Sequence, residues 1–383
     1  MSSPNGDRTD EYYWLRDDSR KDPAMLDYLR AEHAYMKAML AHTDGLQQKL
    51  YDEIVSRIKQ DDSTVPYRKN GYWYYIRFKE GGEYPVHARK RGSLDAPEEL
   101  LLDGNEMAKG TSFFQIGNKE VTHDGKLLVY AVDTVGRRQW TLRVKDLANG
   151  KTLPDEIRNA DAAMAWNSQG TAFLWIEKDP QTLLGFRVRK HVLGTDPASD
   201  AVVYEEKDSS FYLDVFSSRS DRFIYLTSKN TITSEWRYAD ASDPSLAFRV
   251  ISPREREHEY DVEDFGDRFV IRTNLSALNF RIVTVPIARS ADRTAWRDLV
   301  PHRDDAFIHD FLTFDDFLAV EERSGALRKV RLKSWKDGKE SLVAADEPSY
   351  AMSFGANEEQ ATSRLRYVYS SLTTLYGDRK SVV

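Results

Sequence analysis

Hydrophobic positions along the chain change their period once, near residue 60. Before that point they follow a helix. Leu26, Leu29, His33, Met36 and Leu40 recur at three- and four-residue steps, which puts them on one stripe. Asp22 stands before Pro23, a pairing that suits an N-cap followed by a first helical residue whose missing N–H costs nothing. Asp44 and Gln47 have the spacing of a capping box, and Leu46, Leu50, Ile54 and Ile58 follow at i, i+4. Glu53 and Arg57 are placed for an ion pair on the outer face. Residues 22–60 are therefore predicted as two helices, each with one apolar side.

From about residue 66 the pattern becomes short strands between turn residues. A polar turn recurs at Asn70-Gly71, Asp124-Gly125, Gln169-Gly170, Asp221-Arg222, Asp267-Arg268, Asp315-Asp316 and Asn357-Glu358, at intervals of 42 to 54 residues. An aromatic or β-branched run follows each one, such as Leu127-Leu128-Val129-Tyr130, Phe173-Leu174-Trp175-Ile176 or Phe223-Ile224-Tyr225-Leu226. Most turns also have a strand before them, and a third strand usually comes after. Three or four strands per unit of this length is the period of a β-propeller blade. Seven turns predict seven blades, and the regular recurrence favours this over a two-sheet sandwich. The last unit reads as incomplete, because Gly377-Asp378-Arg379-Lys380 looks like a polar turn rather than a strand. The predicted organisation is a helical segment over 1–65, a seven-bladed β-propeller over 66–374 and a divergent tail over 375–383.

Composition narrows the function classes. Of 383 residues, 55 are Lys or Arg and 62 are Asp or Glu, a net charge of −7, which excludes a sequence-independent nucleic-acid binder. The 8 Trp, 20 Tyr and 17 Phe exclude a disordered chain. There is no Cys, so disulfide scaffolds, thiolate zinc sites and Cys nucleophiles are excluded too. Residues 1–8 lack the apolar core of a signal peptide, and no apolar run approaches a membrane span. A cytoplasmic protein without a membrane partner is expected.

The catalytic motifs that would fit a chain of this kind are absent. No Gly-x-Ser-x-Gly string occurs; Gly110-Thr111-Ser112-Phe113-Phe114 lacks the second Gly. No phosphate loop or dinucleotide fingerprint occurs, and no His pair has metal-ligand spacing. His302 and His309 lie near Asp304, Asp305 and Asp310, but are read as residues of a blade-edge loop. Asp17-Asp18, Asp61-Asp62 and Asp315-Asp316 are read as solvated turn acids. Tyr72-Trp73-Tyr74-Tyr75 alternates between two faces and is read as blade core. No catalytic residue, cofactor-binding residue or metal ligand is assigned to any position.

Several strings resemble the prolyl oligopeptidase family, and its oligopeptidase B branch in particular. They include Tyr12-Tyr13-Trp14-Leu15-Arg16-Asp17-Asp18, Arg57-Ile58-Lys59-Gln60-Asp61-Asp62-Ser63-Thr64-Val65-Pro66-Tyr67 and Gly71-Tyr72-Trp73-Tyr74-Tyr75. Tyr84-Pro85-Val86-His87-Ala88-Arg89-Lys90, Leu102-Asp103-Gly104-Asn105, Thr141-Leu142-Arg143-Val144-Lys145-Asp146-Leu147 and Arg366-Tyr367-Val368-Tyr369-Ser370-Ser371 continue the likeness, in chain order from about residue 12 to 374.

The resemblance implies a serine peptidase that cuts short peptides after Arg or Lys. In that family a seven-bladed propeller caps an α/β-hydrolase domain that follows it in the chain, and the N-terminal helices pack on the hydrolase domain. The triad belongs to the hydrolase domain, so no catalytic residue carries over to a position here. The expectation is a truncated product or fragment, or half of a split enzyme, inactive alone and partnered by a hydrolase domain in cis or in trans. Short peptides containing basic residues are the expected substrates of the parent enzyme. A stand-alone propeller acting as a protein-interaction module is the alternative.

Overall fold

The computed structural model describes residues 2–4 and 6–382, and the chain divides into two compact units, residues 1–61 and 62–383. In the first unit, Asp22 caps α1 (Pro23–Leu40), its carboxylate accepting from Met25 N–H at 2.9 Å. Asp17 shapes the approach: the N–H groups of Asp22, Lys21 and Ser19 all donate to its carboxylate and hold it down at about 2. A 3₁₀ turn over Ala41–Thr43 leads into α2 (Asp44–Ser56). The capping box is not formed as predicted. Thr43 takes the N-cap position, Gln47 reaches back to Thr43 Oγ1 at 2.7 Å, and Asp44 is the first helical residue. Asp44 N–H already bonds Ala41 O, so helical backbone runs through the turn and α2 needs no side-chain cap. Arg57 and Glu53 pair at 2.6 Å. Leu29, Met36, Leu40, Leu46, Leu50, Ile54 and Ile58 are all exposed, and Met25 is the one buried residue of the two helices.

The second unit starts a few residues before the predicted boundary. Thr64 N–H bonds Ile76 O and Phe78 N–H bonds Asp62 O, so residues 62–65 belong with the sheets. Seven antiparallel blades follow in chain order. Blade 1 is Tyr67–Lys69, Tyr72–Arg77, Val86–Arg91 and Glu98–Asp103. Blades 2 and 3 share the long strand Thr152–Trp166. Its first half pairs with Trp140–Asp146 as the outer strand of blade 2; its second half pairs with Ala172–Lys178 as the inner strand of blade 3. The register shifts around Asn159, which sits at φ +57°, a conformation Asn tolerates better than most residues. Blade 4 runs from Tyr212–Ser217 to Arg249–Val250, blade 5 from Tyr260–Phe265 to Arg297–Val300, and blade 6 from Ala306–Thr313 to Glu340–Leu342.

All seven polar turns join the first strand of a blade to the second. Three share one mechanism. Thr122 Oγ1, Asn167 Oδ1 and Ser218 Oγ accept from the N–H of Leu127, Ala172 and Phe223, five residues on, so one polar side chain fixes each reversal. Asn70 and Gly71 both have positive φ, +49° and +80°, as a tight two-residue hairpin requires. The second strands are the most deeply buried, with Leu128–Asp133 and Phe223–Ser228 covered throughout.

Blade 7 contradicts one expectation. Gly377–Val382 is a strand, not a turn, and pairs antiparallel with Arg364–Ser370, giving that blade three strands with Ala351–Phe354 innermost.

Six apolar clusters fill six blade interfaces. They join blades 1 and 2 (Tyr74, Leu128, Tyr130), 2 and 3 (Trp140, Met164, Trp166), and 3 and 4 (Leu174, Ile224, Leu226). The others join 4 and 5 (Tyr225, Tyr260, Phe269), 5 and 6 (Val270, Ile308, Phe311), and 6 and 7 (Phe317, Leu365, Tyr369). Among the described residues no such cluster joins blade 7 to blade 1. No described helix is long and apolar enough to cross a membrane.

Core truncation should expose the difference between these interfaces. Phe269→Ala, in a fully buried position, should cost about 3–5 kcal/mol. Trp73→Ala, on the blade 7 side of blade 1, should cost less than about half of that in the same denaturant titration followed by circular dichroism.

Candidate functional site

The first strands of the blades line a central channel; those of blades 2 and 3, 3 and 4, and 5 and 6 lie side by side. Cavities of about 190, 390 and 520 Å³ follow one another along it, the first two sharing Ser217 and the last two sharing Asp214, Phe216 and Lys229. The wall is acidic. Glu120, Asp161, Asp214, Asp261, Glu263 and Asp310 stand among the residues lining it, on the inner strands of blades 2 to 6. Burial pushes Asp310 up to about 6 despite a bond from Phe311 N–H, with Asp261 and Glu263 adding to the effect. Burial raises Asp214 and Glu120 as well. Lys229 answers part of this charge, with Nζ 2.9 Å from Asp261. Lys69, Lys178, Arg272 and Arg219 lie 3.9, 3.4, 2.8 and 3.1 Å from Glu120, Asp161, Asp261 and Glu263, so Asp214 and Asp310 are the wall acids without an ion-pair partner among the described residues.

At the end where the seven polar turns gather, side chains cross the channel. Asp221 of blade 4 accepts from Asn70 Nδ2 of blade 1 at 2.9 Å and lies 2.9 Å from His123 Nδ1 of blade 2. Two residues earlier, Arg219 reaches the opposite way. Its guanidinium donates to Glu263 of blade 5 at 3.1 Å, to Thr313 O of blade 6 at 2.9 Å, and to Asn357 O and Glu359 O of blade 7 at 2.8 and 3.0 Å. Gln360 of blade 7 adds bonds to Asp264 O and Thr313 Oγ1. Blade 4 has two blades between itself and either blade 1 or blade 7, so these bonds run across the channel rather than around it. One turn, 218–222, thereby grips five other blades.

The seam between blades 7 and 1 is polar. Arg366 donates to Pro66 O at 2.8 Å, and Arg68 lies 3.8 Å from Glu359. A groove of about 390 Å³ occupies the rest, with Trp73 and Leu94 on the blade 1 side and Ala356 to Glu359, Thr362 and Arg364 on the other. The core reading of Tyr72-Trp73-Tyr74-Tyr75 therefore holds for one face only. Tyr72 and Tyr74 pack toward blade 2, with Arg89 stacked 3.8 Å over Tyr72. Trp73 lines the groove.

One buried group of charges lies away from the channel. His191, fully covered, has Asp200 Oδ1 2.9 Å from Nδ1 and Asp155 Oδ1 3.1 Å from Nε2. Trp175 Nε1 and Gly194 N–H also donate to these two carboxylates. Burial alone would push the imidazole down, but the Asp200 and Asp155 carboxylates outweigh it and hold its pKa above the usual value. The ring ties the third strand of blade 3 to the outer part of blade 2.

The histidines and acids noted near residue 305 do not converge. His302 faces Asp304 at 3.8 Å. His309 and Asp310 are strand residues, not loop residues, and the strand's register shifts between Ile308 and Asp310, leaving His309 as the extra residue. His309 packs on Phe307, and burial pushes it down to about 4. No group of three His, Cys, Asp or Glu among the described residues could hold a metal. Sequence reasoning located the Asp221-Arg222 turn but missed the role of Arg219 and Asp221, because a bond across a ring leaves no local signature.

A family model described as "Prolyl oligopeptidase, N-terminal beta-propeller domain" matches residues 1–374. The chain is 47% identical to "Dipeptidyl aminopeptidase BI" of Pseudoxanthomonas mexicana, over 98% of this chain and 54% of that protein. It is 28% identical to "Protease 2" of Moraxella lacunata, over 96% and 53% respectively. Among solved structures, oligopeptidase B from Leishmania major superposes with a TM-score of 0.91 at 26% identity, covering 100% of this chain and 55% of that one. The chain spans about half the length of the curated relatives it matches.

Two outcomes follow for the charged groups. Arg219→Ala removes charge-assisted bonds worth about 1.5–3 kcal/mol each, so amide exchange over 217–222 and 357–362 should rise about tenfold or more while the His191 region is unchanged. His191→Gln leaves two carboxylates facing each other and should cost about 3–5 kcal/mol at pH 6. Because the folded pKa of His191 is raised, its contribution is fully present below its usual value of 6.5 and is lost as pH rises through the folded value. The stability gap between variant and parent should therefore narrow from pH 6 upward in denaturant titrations.

Proposed function

Because the chain belongs to the prolyl oligopeptidase family, whose N-terminal β-propeller domain it matches over residues 1–374, we propose that it is the substrate-gating portion of an oligopeptidase B-like serine peptidase. The observation that carries this reading is coverage: nearly the whole chain aligns with about half of each relative. The nucleophile comes from an α/β-hydrolase domain outside these 383 residues, since they contain no Gly-x-Ser-x-Gly. Without it, peptides can bind but no acyl-enzyme forms, and the chain alone is inactive.

In this reading the two units have separate tasks. The exposed stripe of α1 and α2 is the docking face for the hydrolase domain; burying each such side chain is worth roughly 1.5–3 kcal/mol. The channel admits extended peptides and excludes folded proteins, because its segments hold only a few hundred Å³ and side chains bridge its turn end. The acidic wall supports selection of Arg- or Lys-containing peptides. It suits the ammonium group of a free amino terminus equally well, and the 47% identical relative is named as a dipeptidyl aminopeptidase. A cytoplasmic site of action completes the reading.

Hydrolysis assays test it. The purified chain should show no turnover of an Arg-linked chromogenic peptide, and adding a matching hydrolase half should restore turnover that a serine-directed inhibitor blocks. Inhibitor-sensitive turnover by the chain alone would refute the division of labour. In the restored enzyme, equal rates on amino-blocked and free Arg peptides would support side-chain selection; loss of activity on blocking would assign the acidic wall to the amino terminus. Amide exchange of residues 23–56 should slow when the hydrolase half is added, and unchanged exchange would remove α1 and α2 from the docking face.

A further inference from the structure

We propose that the groove at the seam of blades 7 and 1 is a binding site for the carboxyl terminus of a peptide that ends in an apolar residue. An apolar cluster joins the blades at each of the other six interfaces, whereas among the described residues none joins blades 7 and 1, and the seam holds a cavity of about 390 Å³, within the range of roughly 300–1,000 Å³ typical of ligand sites. Its apolar lining comes from Trp73, Leu94, Val65 and Pro66. Trp73 belongs to none of the six clusters, and its indole N–H makes only a long bond of 3.3 Å to Gly92 O. A half-buried indole with an open face is a seat for an aliphatic or aromatic side chain.

The charges beside this seat select the other half of the ligand. Arg364, exposed at the start of its strand, has its backbone N–H bonded to Thr362, and no carboxylate faces its guanidinium within ion-pair distance among the described residues. Arg68 meets Glu359 only at 3.8 Å and is more than half exposed. Glu358, the second acid of the lining, acts on Tyr67 and Lys69 toward the channel. The groove thus offers two guanidiniums next to an apolar seat, and a guanidinium fork matches a carboxylate in a bidentate fashion. A peptide presents a carboxylate and an apolar side chain on adjacent atoms only at its carboxyl terminus. This assignment does not rest on the peptidase reading, because the groove is built without any hydrolase residue.

Titration of the full chain with N-acetyl-alanyl-leucine, followed through the Trp73 indole resonance, tests the site. The free acid should bind saturably and its carboxamide at least tenfold more weakly. Arg364→Gln should weaken the acid about tenfold and leave the amide unchanged, and Trp73→Ala should weaken both. Arg68→Gln serves as the second charge variant, with thermal unfolding confirming that each variant is folded. Equal binding of acid and amide, an Arg364→Gln variant that binds like the parent, or no saturable shift at Trp73 would each overturn the proposal. Concentration-dependent self-association that perturbs Trp73 without peptide would place a second copy of the chain in the groove, and would overturn it too.

Discussion

Arg219 holds the sheet unit together at the point where its covalent and apolar connections run out. A propeller must join its last blade to its first, and here no strand is shared between them and no described apolar cluster joins them. The substitute lies across the channel. Blade 4 sends Arg219 to the backbone of blade 7 and Asp221 to the side chain of blade 1, so both flanks of the seam are tied to a common third point. A guanidinium suits this task because it presents five donors in a fixed plane and stays charged at any working pH. Its cost of burial is offset by Glu263 at 3.1 Å and by carbonyl partners that complete its bonding.

This arrangement makes the seam different in kind from the other six interfaces. Packed aromatic and aliphatic clusters are rigid and lose energy with each methylene removed, whereas polar contacts next to water are individually weak and exchangeable. A groove persists there because charged residues facing one another cannot close up without losing hydration. The chemistry of the seam and that of the channel wall are opposite in sign. Arg68, Arg364 and Arg366 line the first beside Glu358 and Glu359, and carboxylates outnumber cations in the second.

Most of the architecture was legible in the sequence because it is local. Asp22 and Pro23 announce α1, the change of period near residue 60 marks the passage from helix to strand, and seven polar turns each join a first strand to a second. The errors also have local causes. Thr43 replaces Asp44 as cap because the helical backbone never breaks between α1 and α2. Gly377–Val382 pairs as a strand although its polar residues resemble a turn. The candidate site was not legible, since Asp221 and Asn70 are 151 residues apart and His191 meets Asp155 across 36. The first pair meets only through the arrangement of separate blades and the second through strands of one sheet, and no spacing rule encodes either.

The absence of Cys allows a direct measurement of whether blade 4 secures the seam. Spin labels on Asp95→Cys and Ser363→Cys would flank the groove from blades 1 and 7, and electron–electron resonance would give the distribution of distances between them. With Arg219 and Asp221 present, the distribution should be narrow; with both changed to Ala, it should broaden and lengthen while the protein stays folded. An unchanged narrow distribution in the doubly substituted protein would contradict the account, because the seam would then be held by its own contacts.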